Sequence, residues 1–256
     1  MEREARVAGS LILFMELVKA TLWMYGVALE RSLQLLKANW GMIFAPLAYG
    51  VILLLATFII APLGLIGGIL LALTMNACMS SGLYLVENVI RSGKTTPRDF
   101  WKGFGVYLWD IVMISFILWI PMIVASSVLN ATPNGQLFML FVQLTLYIIL
   151  NAVPELMYQS HASGVELLAA SYQFIVDNWA EWFVPNLLIT LGGYLAMRAL
   201  RPITAALPFP AVIFMLSLVY GLFLSYLLIL RGLLFSELNG SNRRARVYRY
   251  KTRDSS

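Results

Sequence analysis

Charged side chains are scarce in this sequence. Only 18 Lys or Arg and 13 Asp or Glu occur among 256 residues, so 12% of the chain is charged while 60% is hydrophobic. A soluble domain usually carries about 25% charged residues. The chain has too little polar surface to cover a folded domain in water, which excludes an ordinary soluble protein.

Residues that commonly perform catalysis or bind metals are also nearly absent. The chain has one cysteine, Cys78, so an intramolecular disulfide is impossible, and we expect this residue to serve in packing. The only histidine is His161, which we expect to be a surface residue because a metal site would otherwise depend on carboxylates alone. The patterns HExxH, GxSxG, GxGxxG and the P-loop do not occur. We predict a protein that is not an enzyme and holds no metal or cofactor.

What the sequence does contain is a series of long apolar runs without Lys, Arg, Asp or Glu. These runs cover residues 41–61, 63–86, 111–129, 137–153, 183–197 and 206–230. A membrane-spanning helix needs about 20 apolar residues. Four runs meet this length as they stand, and the runs 137–153 and 183–197 need flanking residues to complete a span.

The apolar runs predict an all-α, polytopic transmembrane helical bundle. Backbone groups in lipid must be satisfied within helices or closed barrels, and no run here alternates with the period of two that barrel strands require. We expect residues 1–256 to form a single integral membrane domain. The predicted spans are about 41–61, 63–87, 109–129, 137–156, 182–200 and 206–231.

The N-terminal region leaves one ambiguity about the number of spans. Residues 9–29 are apolar enough to cross a bilayer, but Glu16 and Lys19 lie one helical turn apart within them. We therefore expect residues 9–40 to form interfacial or partly buried helices. A seventh span remains the alternative.

The basic residues lie on one side of the predicted spans. Sixteen of the 18 Lys and Arg residues precede the first span, follow an even-numbered span or belong to the tail, and the exceptions are Arg198 and Arg201. Basic loops face the cytoplasm in membrane proteins. We expect both termini to be cytoplasmic and the protein to lie in a bacterial inner membrane.

The C-terminal tail, residues 232–256, concentrates the excess positive charge. Basic residues just inside a membrane attract anionic lipid headgroups, at about 1 kcal/mol each near the surface. Membrane lipids are therefore the expected partners of the tail, and we expect no nucleic acid partner. The candidate headgroup ligands are Arg243, Arg244, Arg246 and Arg249.

One segment of the chain occurs twice. SLQLLKANWGMIFAP, residues 32–46, and SYQFIVDNWAEWFVP, residues 171–185, share Ser, Gln, Asn, Trp, Phe and Pro at an offset of 139. Each copy predicts an amphipathic helix on the cytoplasmic surface that leads into a span, with Trp40 or Trp179 as an anchor at headgroup depth. Trp109 lies 69 residues after Trp40 and 70 before Trp179. The spacing predicts three hairpins, each preceded by an interfacial helix.

Three glutamates recur at the same predicted depth. Glu87, Glu155 and Glu237 each follow an even-numbered span, and Asn151 and Asp110 add polar groups near span ends. Polar and ionisable residues at membrane depth are candidate functional groups. They could ring a polar vestibule, or they could pair with nearby arginines and stabilise the bundle.

The second half of the chain resembles a known group of proteins. The run PELMYQSHASGVELLAASYQFIVDNW, residues 154–179, and SYLLILRGLL, residues 225–234, are similar to the YciC-like bacterial inner-membrane proteins and related six-helix families. The matching positions are Pro154, Gly164, Ala169, Ser171 and Asn178. The resemblance implies a six-span fold and supplies no reaction and no catalytic residues.

Two classes of function are compatible with these features. The first is an accessory, assembly or scaffold component of a larger membrane assembly, whose partners are other membrane protein subunits or a second copy. The second is a carrier or channel for a lipid or another apolar small molecule, which repeated hairpins could support. The predicted spans carry no continuous series of charged residues, which argues against an ion pump.

Overall fold

A computed structural model describes residues 2–129, 131–160, 162–205 and 207–253, with side chains from Met15 onward. The protein is an all-α, polytopic bundle, and its described residues contain no strand. The helices are α1 Glu2–Ala38, α2 Ala45–Ile60, α3 Leu65–Ser92, α4 Pro97–Val106, α5 Leu108–Leu129, α6 Gly135–Ile149, α7 Val153–Gln159, α8 Gly164–Ala199, α9 Arg201–Ala205, α10 Phe209–Asn239 and α11 Arg243–Arg253. Short 3₁₀ turns cover Trp40–Phe44 and Ala61–Leu63.

Six segments are long and apolar enough to cross a membrane, which makes this an integral membrane protein. Three of them are single helices, Leu65–Ser92, Leu108–Leu129 and Phe209–Asn239. The other three join neighbouring elements into Trp40–Leu63, Gly135–Gln159 and Gly164–Ala205. Among the described residues, α1 is not one of these segments. Residues 9–38 of the predicted region 9–40 belong to this one helix, which ends at Ala38.

The backbone breaks at three related places. Asn39 has φ −122° and ψ 37°, and Asn178, at the same place in the second copy of the repeat, has φ −128° and ψ 19°. Tyr107, between α4 and α5, has φ −110° and ψ 6°. In each case the preceding amphipathic segment ends there and an apolar helix begins. The bundle therefore contains three units, each made of an amphipathic helix followed by a hairpin.

The packed core lies at the end of the bundle that holds the loops after α3 and α7 and helix α11. We call it the basic end, because most of the Lys and Arg residues lie there. Hydrogen bonds connect α3, α7 and α10 there. Arg91 donates to the carbonyl of Tyr158 at 2.7 Å, and Gln159 donates to the carbonyl of Gly232 at 2.9 Å. The largest fully buried side chains include Trp182 and Phe235. Helix α1 joins this core through side chains spaced four residues apart, which share one helical face: Ala20, Met24, Ala28, Ser32 and Leu36.

Helix α4 is fastened closely to α3 at the basic end. Two fully buried serines of α3 form the attachment. Ser80 donates to the carbonyl of Gly103 at 2.6 Å, and Ser81 donates to the carbonyl of Phe100 at 2.7 Å. The hydroxyl of Ser80 also accepts the N–H of Tyr107 at 2.8 Å. Because Gly103 has no side chain, the two backbones can approach closely enough for these bonds.

The spans pack loosely away from the basic end. In the most apolar part of each span, only 6% to 28% of the residues are buried. Large side chains such as Phe58, Trp119 and Phe141 are more than half exposed. Exposed apolar area of this extent requires lipid or another apolar partner around it.

The predicted basic tail, residues 232–256, is mostly helical where the structure describes it. Helix α10 continues to Asn239, and residues Arg243–Arg253 form α11, which packs against α1. Lys251 forms an ion pair with Glu16 at 2.7 Å, and the ring of Tyr250 lies 6.2 Å from that of Trp23. These partners, which are distant in sequence, hold the tail on the bundle.

Candidate functional site

A buried ion pair lies at the centre of the basic end. Glu155, in the first turn of α7, is 1% exposed. Arg231 of α10 donates from Nε to Oε1 of this carboxylate at 2.7 Å and from Nη2 to Oε2 at 2.9 Å. This two-pronged geometry is the strongest form of the arginine–carboxylate interaction. Both carboxylate oxygens are occupied by Arg231.

Asn151 and Trp182 complete this cluster. Arg231 Nη2 also donates to the Asn151 carbonyl at 2.7 Å, and Nη1 donates to its Oδ1 at 3.2 Å. The indole N–H of Trp182 donates to the same Oδ1 at 2.9 Å, while its ring lies 4.9 Å from the guanidinium carbon. The charge of Arg231 is thus balanced by a carboxylate, an amide and an aromatic face. Asn151 was a predicted site residue, whereas nothing in the sequence distinguished Trp182 from its neighbours.

Glu87 forms a second, separate pair. Its carboxylate lies 2.9 Å from Arg91, one turn later in α3, and accepts a hydrogen bond from the Tyr107 hydroxyl. Burial, reinforced by the bond to Glu87, raises the pKa of Tyr107 above its ordinary value. Tyr107 therefore acts as a hydrogen-bond donor that fixes the start of α5 on α3.

The third glutamate, Glu237, pairs with Arg249 at 2.9 Å, and both side chains are more than 40% exposed. Each member of the predicted trio therefore has its own arginine, on α3, α10 or α11, and the three carboxylates form separate ion pairs instead of one ring. Asp110 lies in the first turn of α5 and is half-buried. An acidic residue there is favourable at a helix N-terminus.

A further carboxylate, Glu181, emerges only from the structure. It is 6% exposed, and its carboxylate forms ion pairs with Arg243 at 2.9 Å and with Arg246 at 3.4 Å, both from α11. The Tyr25 hydroxyl donates to its backbone carbonyl at 2.9 Å. Burial, followed by the charge of Glu181, raises the pKa of Tyr25 to about 12. The sequence signal was only that Glu181 follows the repeated Asn-Trp pair.

The repeated asparagines have different roles. Asn39 is buried and connects α1 to the α3–α4 loop: its amide donates to the Gly93 carbonyl at 2.9 Å and its Oδ1 accepts the N–H of Thr95 at 2.8 Å. Among the described residues, the Asn178 amide donates to the Phe174 carbonyl within α8, at 3.2 Å. The predicted anchors that follow the backbone breaks, Trp40, Trp109 and Trp179, are 65%, 71% and 63% exposed. Exposure at these positions leaves the indoles free to contact lipid headgroups.

Three cavities open near these groups. The largest, about 980 Å³, lies between α8, α10 and α11 and includes Arg243, Arg244 and Arg246 in its wall. A second, about 450 Å³, lies beside Trp40 and Trp101. A third, also about 450 Å³, opens beside Glu155 and Arg231 and is otherwise mainly apolar. Arg249 lines none of these three.

These polar groups are suited to holding helices together, because the carboxylates of Glu87, Glu155 and Glu181 are each paired with arginine. Within the part of the chain that the structure describes, no three His, Cys, Asp or Glu side chains come close enough to hold a metal ion. His161 lies outside the described residues.

A comparison with known protein families found no family model that matches the chain, and comparisons with curated proteins and with solved structures found no significant match. The resemblance to the YciC-like families therefore stays a prediction.

Proposed function

We propose that this integral membrane protein acts through contacts, as a non-catalytic accessory or scaffold component of a larger membrane assembly. The observation that supports the proposal is that side chains are tightly packed at the basic end and poorly packed along the spans. The basic end is held together by buried ion pairs and a dense core, whereas the spans leave wide apolar faces uncovered.

The internal ion pairs support a structural role for the basic end. Glu155 and Arg231 satisfy each other, and Glu87 is bound by Arg91 and Tyr107. A proton or ion pathway needs groups that can exchange partners along the bilayer. The paired groups lie near the ends of the spans, and the apolar runs between them carry no formal charge.

The uncovered faces support binding of other apolar helices. In a membrane, helices associate through close van der Waals packing and not through escape from water. The exposed ridges of α2, α5 and α6 provide such surfaces. We propose a second copy or another membrane protein subunit as the partner, and the cytoplasmic face of a bacterial inner membrane as the location of the basic end.

Photo-crosslinking in native membranes tests this role. A photoreactive amino acid at Trp119, which is 58% exposed, is expected to give protein adducts of discrete mass. The same group at Ile114, which is 7% exposed on the same helix, serves as the matched control and is expected to give none. Adducts to lipid alone at Trp119, Phe58 and Phe141 would contradict the accessory role.

One observation favours the second function, a carrier of a lipid or other apolar molecule. The cavity beside Arg231 has apolar walls from α5, α6 and α10, including Leu118, Leu146 and Leu227, and a polar base at Glu155. An amphiphile could occupy such a space. A lipid-exchange assay between vesicles decides the matter: acceleration by the purified protein would favour the carrier over the scaffold.

A further inference from the structure

The cavity of about 980 Å³ between α8, α10 and α11 has a polar wall. It lies at the basic end, between the first half of α8, the end of α10 and the start of α11. Its lining residues are Leu156, Ala170, Gln173, Phe174, Asp177, Asn178, Leu238, Asn239, Gly240, Ser241, Asn242, Arg243, Arg244 and Arg246. A volume of about 980 Å³ is at the upper end of the range for small-molecule sites, roughly 300–1,000 Å³.

The charge around this cavity is positive. Three guanidinium groups line it, from Arg243, Arg244 and Arg246. The opposing acids are Asp177 in the wall and Glu181, which pairs with Arg243 and Arg246. Arg244 is exposed and has no carboxylate within ion-pair distance among the described residues.

One buried N–H group of Arg246 has no hydrogen-bond acceptor among the described residues. Its side chain is 4% exposed, yet its Nε–H is buried without a hydrogen-bond acceptor. A buried charged donor that lacks a partner is costly, and such groups in native proteins usually bind a ligand, an ion or water. Burial lowers the pKa of Arg246 below its ordinary value, while the charge of Glu181 acts in the opposite direction.

The backbone adds further donors at the same place. Helix α11 begins at Arg243, and its cap residue Asn242 accepts the N–H of Ala245 at 2.8 Å. The first N–H groups of a helix have no partners within the helix, and the helix dipole makes this end attractive to anions. The N-terminus of α11 and the three arginines therefore meet at one cavity.

We propose that this cavity binds a phosphate ester, with the phosphate held between Arg244, Arg246 and the first turn of α11. Arginine recognises phosphate oxygens through paired N–H donors. The apolar part of the wall, from Leu156, Phe174 and Leu238, accommodates the carbon skeleton next to the phosphate. The site is independent of the proposed scaffold role, because it lies at the basic end and uses none of the uncovered faces of α2, α5 and α6.

Binding of phosphatidylglycerol to the full-length protein in a neutral detergent tests the site, measured by native mass spectrometry. Arg244→Gln is expected to weaken binding by roughly tenfold, because a hydrogen bond to a charged group is lost. Arg249→Gln is the matched control, since it removes the same charge from the same helix outside the cavity. Equal losses in the two variants would overturn the proposal in favour of diffuse surface charge.

A second pair of variants tests the cavity by shape. Ala170 lines it, whereas the adjacent Ala169 is exposed outside it. Ala170→Trp is expected to block binding, and Ala169→Trp is expected to leave it unchanged, with melting temperatures recorded for both. Full binding to a folded Ala170→Trp protein would overturn the assignment.

The source of the phosphate is decided by competition. If millimolar inorganic phosphate displaces phosphatidylglycerol while phosphatidylcholine vesicles do not, the site takes a phosphate monoester from solution. If phosphatidylglycerol binds and inorganic phosphate does not compete, the ligand is an anionic lipid. Binding of neither probe at low salt would refute the site.

Discussion

At the scale of single residues, the main feature is that each buried acid has its own arginine. Glu155 with Arg231 and Glu181 with Arg246 are pairs in which all four side chains are mostly buried. Breaking such a pair leaves the remaining charge without a partner in a region of low polarity. The structure therefore predicts that substitutions that look alike in the sequence change the free energy of unfolding by very different amounts.

Glu155→Gln is expected to lower the free energy of unfolding in detergent by about 3 kcal/mol, because it leaves the buried Arg231 without its counter-charge. Glu237→Gln is the control, since that pair is exposed, and it is expected to cost less than about 1 kcal/mol. Denaturant unfolding measures both. Similar stabilities of the two variants would show that Glu155 is not paired as described.

The tryptophans of α8 provide a second comparison. Trp182 is 0% exposed and packs on Phe174 with ring centroids 5.3 Å apart, whereas Trp179 is 63% exposed. Trp182→Ala is expected to cost about 3–5 kcal/mol. Trp179→Ala is expected to change stability by about 0.5 kcal/mol and to reduce quenching of indole fluorescence by brominated lipids. A loss of stability from Trp179→Ala well above this value would contradict its role as an interface anchor.

At the scale of helices, the attachment of α4 to α3 depends on one close approach. A Cβ atom added at Gly103 would lie 2.8 Å from the Cα of Ser81, whereas one added at Gly105 would meet nothing within 4 Å. The same helix therefore contains one glycine required by packing and one that is not.

Gly103→Ala is expected to destabilise the protein by about 1–3 kcal/mol, because the backbone of α4 must move away from Ser80 and Ser81. Gly105→Ala is expected to stabilise it by roughly 0.5–1 kcal/mol through helix propensity. Thermal unfolding of both variants measures the difference. If Gly103→Ala is as stable as Gly105→Ala, α4 does not pack on α3 in this way.

The helices and the site differ in how far sequence predicts them. The six spans follow from apolar runs, and two of the three backbone breaks lie at the Asn of the repeated Asn-Trp pair, because both are local properties. The partners of the buried acids are not local: Glu155 and Arg231 are 76 residues apart, and Glu181 and Arg243 are 62 apart. The packing of α11 depends on such pairs, so the composition of the tail predicts its positive charge and not the helices that it contacts.

At the scale of the whole molecule, three units, each an amphipathic helix followed by a hairpin, join at the basic end. The loops after α3 and α7 and helix α11 lie at this end, together with most of the basic residues. The loop before α6 lies at the opposite end. We propose that the basic end lies in the cytoplasm, and the phosphate site belongs to this end.

Site-directed cysteine labelling in intact cells tests this arrangement most directly, on a Cys78→Ser background. Single cysteines at Lys94, Ser163 and Tyr248 are expected to resist a membrane-impermeant maleimide until the cells are opened, whereas one at Gln136 is expected to react at once. All four positions are exposed, so failure to react reflects the membrane and not burial. Labelling of Tyr248→Cys in intact cells, with Lys94→Cys protected, would contradict the account, because the C-terminus would then lie on the opposite side from the α3–α4 loop.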